Sequence, residues 1–105
     1  MAWFYLLIAG VFEVGWALGM KYTEGFTRFW PTLGVLVVMG LSVYFLSLAV
    51  RFIDLGTAYA VWTGIGIAGT AIAGMIWFGE STSILRLLFI FLILASVVGL
   101  RLIAK

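Results

Sequence analysis

Residues 29–50, FWPTLGVLVVMGLSVYFLSLAV, hold no charged side chain. A helix rises about 1.5 Å per residue, so such a run crosses the ~30 Å hydrocarbon core of a bilayer. The charges on either side punctuate the rest of the chain. Residues 2–20 contain one charge, Glu13, and residues 55–79 contain none. The final uncharged run, 87–100, is shorter. It spans only if the helix takes in Arg86 and Arg101, whose long side chains snorkel to the interfaces. The reading is an all-α membrane protein with four transmembrane helices, at about 2–20, 31–50, 55–79 and 82–103, in one transmembrane domain over residues 1–105.

Composition agrees. Of 105 residues, 66% are hydrophobic, and the mean hydropathy is +1.29. A soluble domain of this length buries too little of its surface to hide that much apolar area. The N-terminal run lacks a basic leading region and carries an acid at its middle, so it is not expected to be a signal peptide. Pro31 suits the first turn of the second helix. Asp54–Gly56 makes a tight link into the third. Ser81, Thr82 and Ser83 offer an N-cap before the fourth. Short links make successive helices antiparallel.

The chain has no Cys, His, Asn or Gln. That excludes disulfides, the common soft-metal sites and Ser-His or Cys-His catalysis, so no metal, cofactor or enzyme activity is expected. Six dispersed Lys and Arg residues make no nucleic-acid patch. Four helices put Arg51, Arg101 and Lys105 on one side, and Lys21, Arg28 and Arg86 on the other. The balance gives no preferred orientation by the positive-inside rule. Either these charges are too few to decide, or both orientations insert and pair as an antiparallel dimer.

Glu13 lies near the middle of the first helix. A charge at that depth costs on the order of 3 kcal/mol, and intramembrane acids are functional by default. Ala9, Gly10, Trp16 and Ala17 are its neighbours at helical spacing, and the small ones leave room for a ligand. Trp16 lies too deep for an interfacial anchor; it offers an indole N–H and a π face. Ser42 centres the second helix. Its hydroxyl either bonds the carbonyl four residues earlier or lines a site. Tyr59, Trp62, Thr63, Gly66 and Thr70 make a polar stripe on the third helix. They suit a cavity with cation–π capacity, or else hydrogen bonds between helices. The stretch GIGIAG at 64–69 matches a dinucleotide fingerprint only by letters. No strand precedes it, and in a membrane helix it permits close packing or bending. Gly15–Gly19 and Ala95–Gly99 are paired small residues. The second pair is the expected dimer seam.

The segments FEVGWA at 12–17, KYTEGFTR at 21–28 and GTAYAVWTGIG at 56–66 resemble the small multidrug resistance transporters of bacteria. Trp16 makes the chain similar to the guanidinium-exporter subtype rather than the polyaromatic-drug subtype. Asp54 departs from that subtype, which often has Pro in this loop, and Arg101 stands where Lys is usual. The resemblance implies an antiparallel, dual-topology homodimer in the bacterial inner membrane, exchanging protons for guanidinium or small guanidinyl cations. It implies Glu13 as the shared proton and substrate site, with Gly10, Trp16, Ser42, Tyr59 and Trp62 around it, and dimer contacts on the fourth helix. Export of bulkier aromatic or quaternary cations is the alternative, which Trp16 opposes by filling space. An anion channel is opposed by the central acid. A structural subunit would need no such acid, and an intramembrane enzyme lacks a nucleophile–base pair.

Overall fold

In a computed structural model describing residues 1–103, four helices follow one another with short links. Ala104 and Lys105, and with them the Lys105 charge counted above, lie outside the described residues. The helices are α1 (Ala2–Gly19), α2 (Phe29–Ala49), α3 (Leu55–Trp77) and α4 (Ile84–Ile103), with a 3₁₀ turn, Met20–Thr23, after α1. Each is long and apolar enough to cross a membrane, and the chain is a multi-pass membrane protein.

Local chemistry sets the ends. Helix α2 begins two residues before Pro31. Proline is tolerated there because first-turn N–H groups have no partner within the helix. Helix α3 stops at Trp77, and the chain reverses at Gly79, whose φ of +64° suits a residue without Cβ. Ser83 caps α4 by accepting the Arg86 N–H at 3.3 Å, and Ser81 Oγ accepts the Ser83 N–H at 3.3 Å. The α1–α2 link turns on buried Thr23. Its hydroxyl donates to the Met20 carbonyl at 2.8 Å and accepts the Phe26 N–H at 3.2 Å. Those bonds hold Glu24 and Phe26 at positive φ, 49° and 66°, a conformation that costs a non-glycine residue.

Helix α1 lies between α2 and α3, and α4 packs its backbone on α3 alone. The seams are made by glycines receiving branched side chains. A Cβ at Gly10 would stand 2.6 Å from Ile65, one at Gly19 2.9 Å from Val35, one at Gly64 2.6 Å from Val97 and one at Gly69 2.5 Å from Val14. The GIGIAG stretch therefore serves close packing. Helix α3 runs through it without a break, with Gly64 turned to α4 and Gly69 to α1. Backbones brought this close gain dispersion contacts, the main attraction left between helices in lipid.

The result is a thin layer, 43 × 35 × 17 Å. Helices are about 10–12 Å across with side chains, so 17 Å is too thin for four of them to ring a pathway. Helix α4 is the extreme case. Ile90 is its one buried residue, while Phe89, Phe91, Leu94 and Val98 stand exposed. Ala95 is exposed, and a Cβ at Gly99 would meet nothing within 4 Å. At the opposite end from the α3–α4 link, Arg101 lies over the Trp3 ring, 4.8 Å from its centroid.

Candidate functional site

The turn of α1 from Ala9 to Glu13 is the centre of the polar structure. Small residues on α1 let α2 and α3 approach, and both send polar groups to this level. Ser42 on α2 is fully buried, and its Oγ donates to the Ala9 carbonyl at 2.7 Å. Trp62 on α3 donates its indole N–H to the same Ser42 Oγ at 3.0 Å. Ser42 thus ties three helices together instead of bonding back within α2. In an α-helix the Ala9 carbonyl also accepts the backbone N–H of Glu13, so this relay ends one backbone hydrogen bond from the acid's own residue. Tyr59 continues it outward, with its ring 5.5 Å from that of Trp62 and its side chain exposed.

The Glu13 carboxylate points to α3 and is half-buried there. Gly66 receives it: a Cβ at position 66 would overlap the Glu13 carboxyl group. Among the described residues, no hydrogen bond or ion pair satisfies that carboxylate. It opens instead into a cleft of about 390 Å³ between α1 and α3, lined by Trp16, Ala17, Gly66 and Thr70 and reaching Glu80 and Arg86 at one end. Ligand pockets typically fall between about 300 and 1,000 Å³. The Trp16 indole N–H is shielded from solvent and has no acceptor. Buried donors are nearly always hydrogen-bonded, which sets this one apart.

The residues singled out from the sequence therefore form two linked groups. Glu13 and Trp16 share the cleft. Ser42, Trp62 and Tyr59 make the interhelical relay beside it. Gly10 joins neither: it is buried, and its free side is filled by Ile65. The α3 stripe divides, and its aromatic pair, Tyr59 and Trp62, does not line the cleft. Trp62 makes a bond between helices, whereas Gly66 and Thr70 face the cleft. Thr63 is half-buried, and its hydroxyl is shielded without a partner.

Four participants have roles that the sequence alone does not mark. The Ala9 carbonyl is backbone and carries no signature. Gly66 was legible as a small residue on the polar stripe, but its role as a seat for the acid depends on how α1 and α3 are rotated. Glu80 and Arg86 pair at 2.8 Å across a loop, a spacing that no helical period reveals.

The family profile described as "Small Multidrug Resistance protein" matches residues 1–93. A guanidinium exporter of Yersinia pseudotuberculosis is 53% identical over 102 residues, which cover 97% of this chain and 98% of that protein. A guanidinium exporter of Citrobacter freundii is also 53% identical, over 97% of each chain. One from Salmonella typhimurium is 50% identical over the same shares.

Proposed function

Because the chain belongs to the small multidrug resistance family, we propose that it is a proton-coupled exporter of guanidinium and small guanidinyl cations. It is not an enzyme; the family is one of membrane transporters. The observation that carries the reading is the Glu13 carboxylate. It lies near mid-span, seated on Gly66, open to a cleft and without a counter-ion among the described residues.

A guanidinium cation presents forked N–H donors that match the two oxygens of a carboxylate. A proton binds the same oxygens. Occupancy by one excludes the other, and this competition is the coupling. Trp16 adds an aromatic ring at the wall of the cleft. The relay from Ala9 through Ser42 to Trp62 stiffens the turn that carries Glu13.

The working unit in this reading is an antiparallel homodimer in the bacterial plasma membrane. A layer 17 Å thick encloses nothing by itself, while a second copy closes the cleft side. The face of α4 around Ala95 and Gly99 stands clear and suits the seam. Two identical subunits of opposite orientation then expose the pair of Glu13 carboxylates to either side in turn.

The test is exchange in proteoliposomes. Guanidinium and guanylurea should move against a proton gradient, and a bulky quaternary ammonium ion should move poorly. Equal transport of the bulky cation supports multidrug efflux instead. Guanidinium flux that ignores the proton gradient rules out the exchanger.

A further inference from the structure

Helix α3 carries a regular line of small or hydroxylated positions, Gly66, Thr70 and Gly74, each four residues after the last. Gly66 seats the Glu13 carboxylate, and Gly74 seats a second one. A Cβ at position 74 would overlap the carboxyl group of Glu80. Glu80 reaches back this far because the chain reverses at Gly79, φ +64°, and its N–H bonds the Gly74 carbonyl at 3.2 Å. Glu13, Thr70 and Glu80 all line the same cleft. The two glycine seats are eight residues apart, about 12 Å of helix rise. The cleft thus runs from an inner carboxylate, past a hydroxyl, to an outer one.

The outer carboxylate already holds a guanidinium. Arg86 donates from Nη2 to Glu80 Oε1 at 2.8 Å. That single bond uses a fraction of the five donors of the group, and the Arg86 Nε–H is shielded from solvent with no partner. Both side chains remain about one-third exposed, and ion pairs in such settings contribute little net stability. Little free energy therefore opposes its separation when a competing cation arrives. Its chemistry is that of the proposed substrate on the proposed site.

We infer that Glu80 is an outer station for the transported guanidinyl cation, and that Arg86 holds it between cycles as a tethered guanidinium which incoming substrate displaces. This rests on the guanidinium-export reading of Glu13. Displacement leaves the Arg86 charge at the mouth, where it opposes return of the cation. Glu80 and Arg86 act on entry and do not take part in proton exchange at Glu13.

The experiment is guanidinium exchange in proteoliposomes, with KM and maximal rate measured separately at low and high salt. Arg86→Gln frees the outer carboxylate and should lower KM roughly three- to tenfold; Glu80→Gln leaves an unopposed cation at the mouth and should raise KM by a similar factor. Both shifts should shrink at high salt. The double variant Glu80→Arg with Arg86→Glu should return KM toward wild type. Arg86→Lys keeps the charge but loses the planar fork, so its KM should fall less than that of Arg86→Gln; it carries the test if the neutral variants do not fold. A merely structural pair would change the maximal rate or yield and leave KM alone. Wild-type exchange with KM unchanged in the variants, or shifted the same way in both neutral ones, overturns this inference alone. Wild-type protein that does not exchange guanidinium overturns the function beneath it.

Discussion

The carboxyl group of Glu13 on α1 occupies the space that a side chain at Gly66 on α3 would need. The acid is therefore placed by the absence of an atom on a different helix. It is held by shape rather than by a hydrogen bond, which leaves its oxygens available.

Gly66→Ala should fold, because the far end of Glu13 is flexible and Ala is a better helix former than Gly. It should also displace the carboxylate and weaken guanidinium binding by about tenfold or more, a cost of roughly 1.4 kcal/mol. Gly40→Ala is the control, since a Cβ there meets nothing within 4 Å. Isothermal titration of the two purified variants makes the comparison. Equal affinities would show that the Gly66 seat is incidental.

Glu13→Gln keeps the size of the side chain and removes its titration. Wild-type affinity for guanidinium should drop as pH falls, because protons take the same oxygens that bind the cation. The Gln variant should bind weakly at every pH and show no proton-driven exchange. Glu13→Asp should retain exchange, with weaker binding, since the shorter arm draws the oxygens back from the cleft. A Gln variant that keeps the wild-type pH dependence would place coupling at another residue.

Ser42→Ala removes the bridge between the Ala9 carbonyl and the Trp62 N–H. The buried indole donor then lacks its partner, at a cost of about 1–3 kcal/mol. Trp62→Phe removes that donor. The two substitutions together should cost clearly less than the sum of each alone, as expected for residues in one network. Denaturation in detergent of the four proteins in the cycle measures this. Strict additivity would mean that the bonds do not cooperate.

Trp16 forms a wall of the Glu13 cleft. Trp16→Gly should lower guanidinium transport several-fold, through loss of a cation–π partner worth about 1–2 kcal/mol. The same change should improve transport of bulkier cations. Competition assays across a size series give the ranking, and an unaltered order would reduce Trp16 to packing.

Orientation is accessible because the chain has no cysteine of its own. A single Cys placed near either terminus should be labelled from both sides of intact cells, in comparable amounts. Labelling from one side only would exclude an antiparallel homodimer, although pairing with an oppositely oriented relative would still complete the site.

Much was legible before any coordinates. Uncharged runs separated by small charged clusters gave four spans, since transfer into lipid depends on the composition of each segment and not on its neighbours. The intramembrane cost of a charge singled out Glu13 for the same reason. Pro31 and Ser83 marked helix starts because first-turn and capping chemistry is local, whereas the link expected at Asp54–Gly56 ends at Asp54, since α3 already begins at Leu55. What no local rule reaches is the rotation of one helix against the next. Ser42 had two open readings on α2, and the approach of α1 and α3 decided it by offering the Ala9 carbonyl and the Trp62 N–H. Gly10 read as space for a ligand until Ile65 filled it, while Gly66, one glycine among several, became the seat of the acid. Each of these outcomes is a contact between residues distant in sequence. Such contacts follow from how whole helix surfaces interlock, and a few tens of degrees of rotation would exchange one set for another.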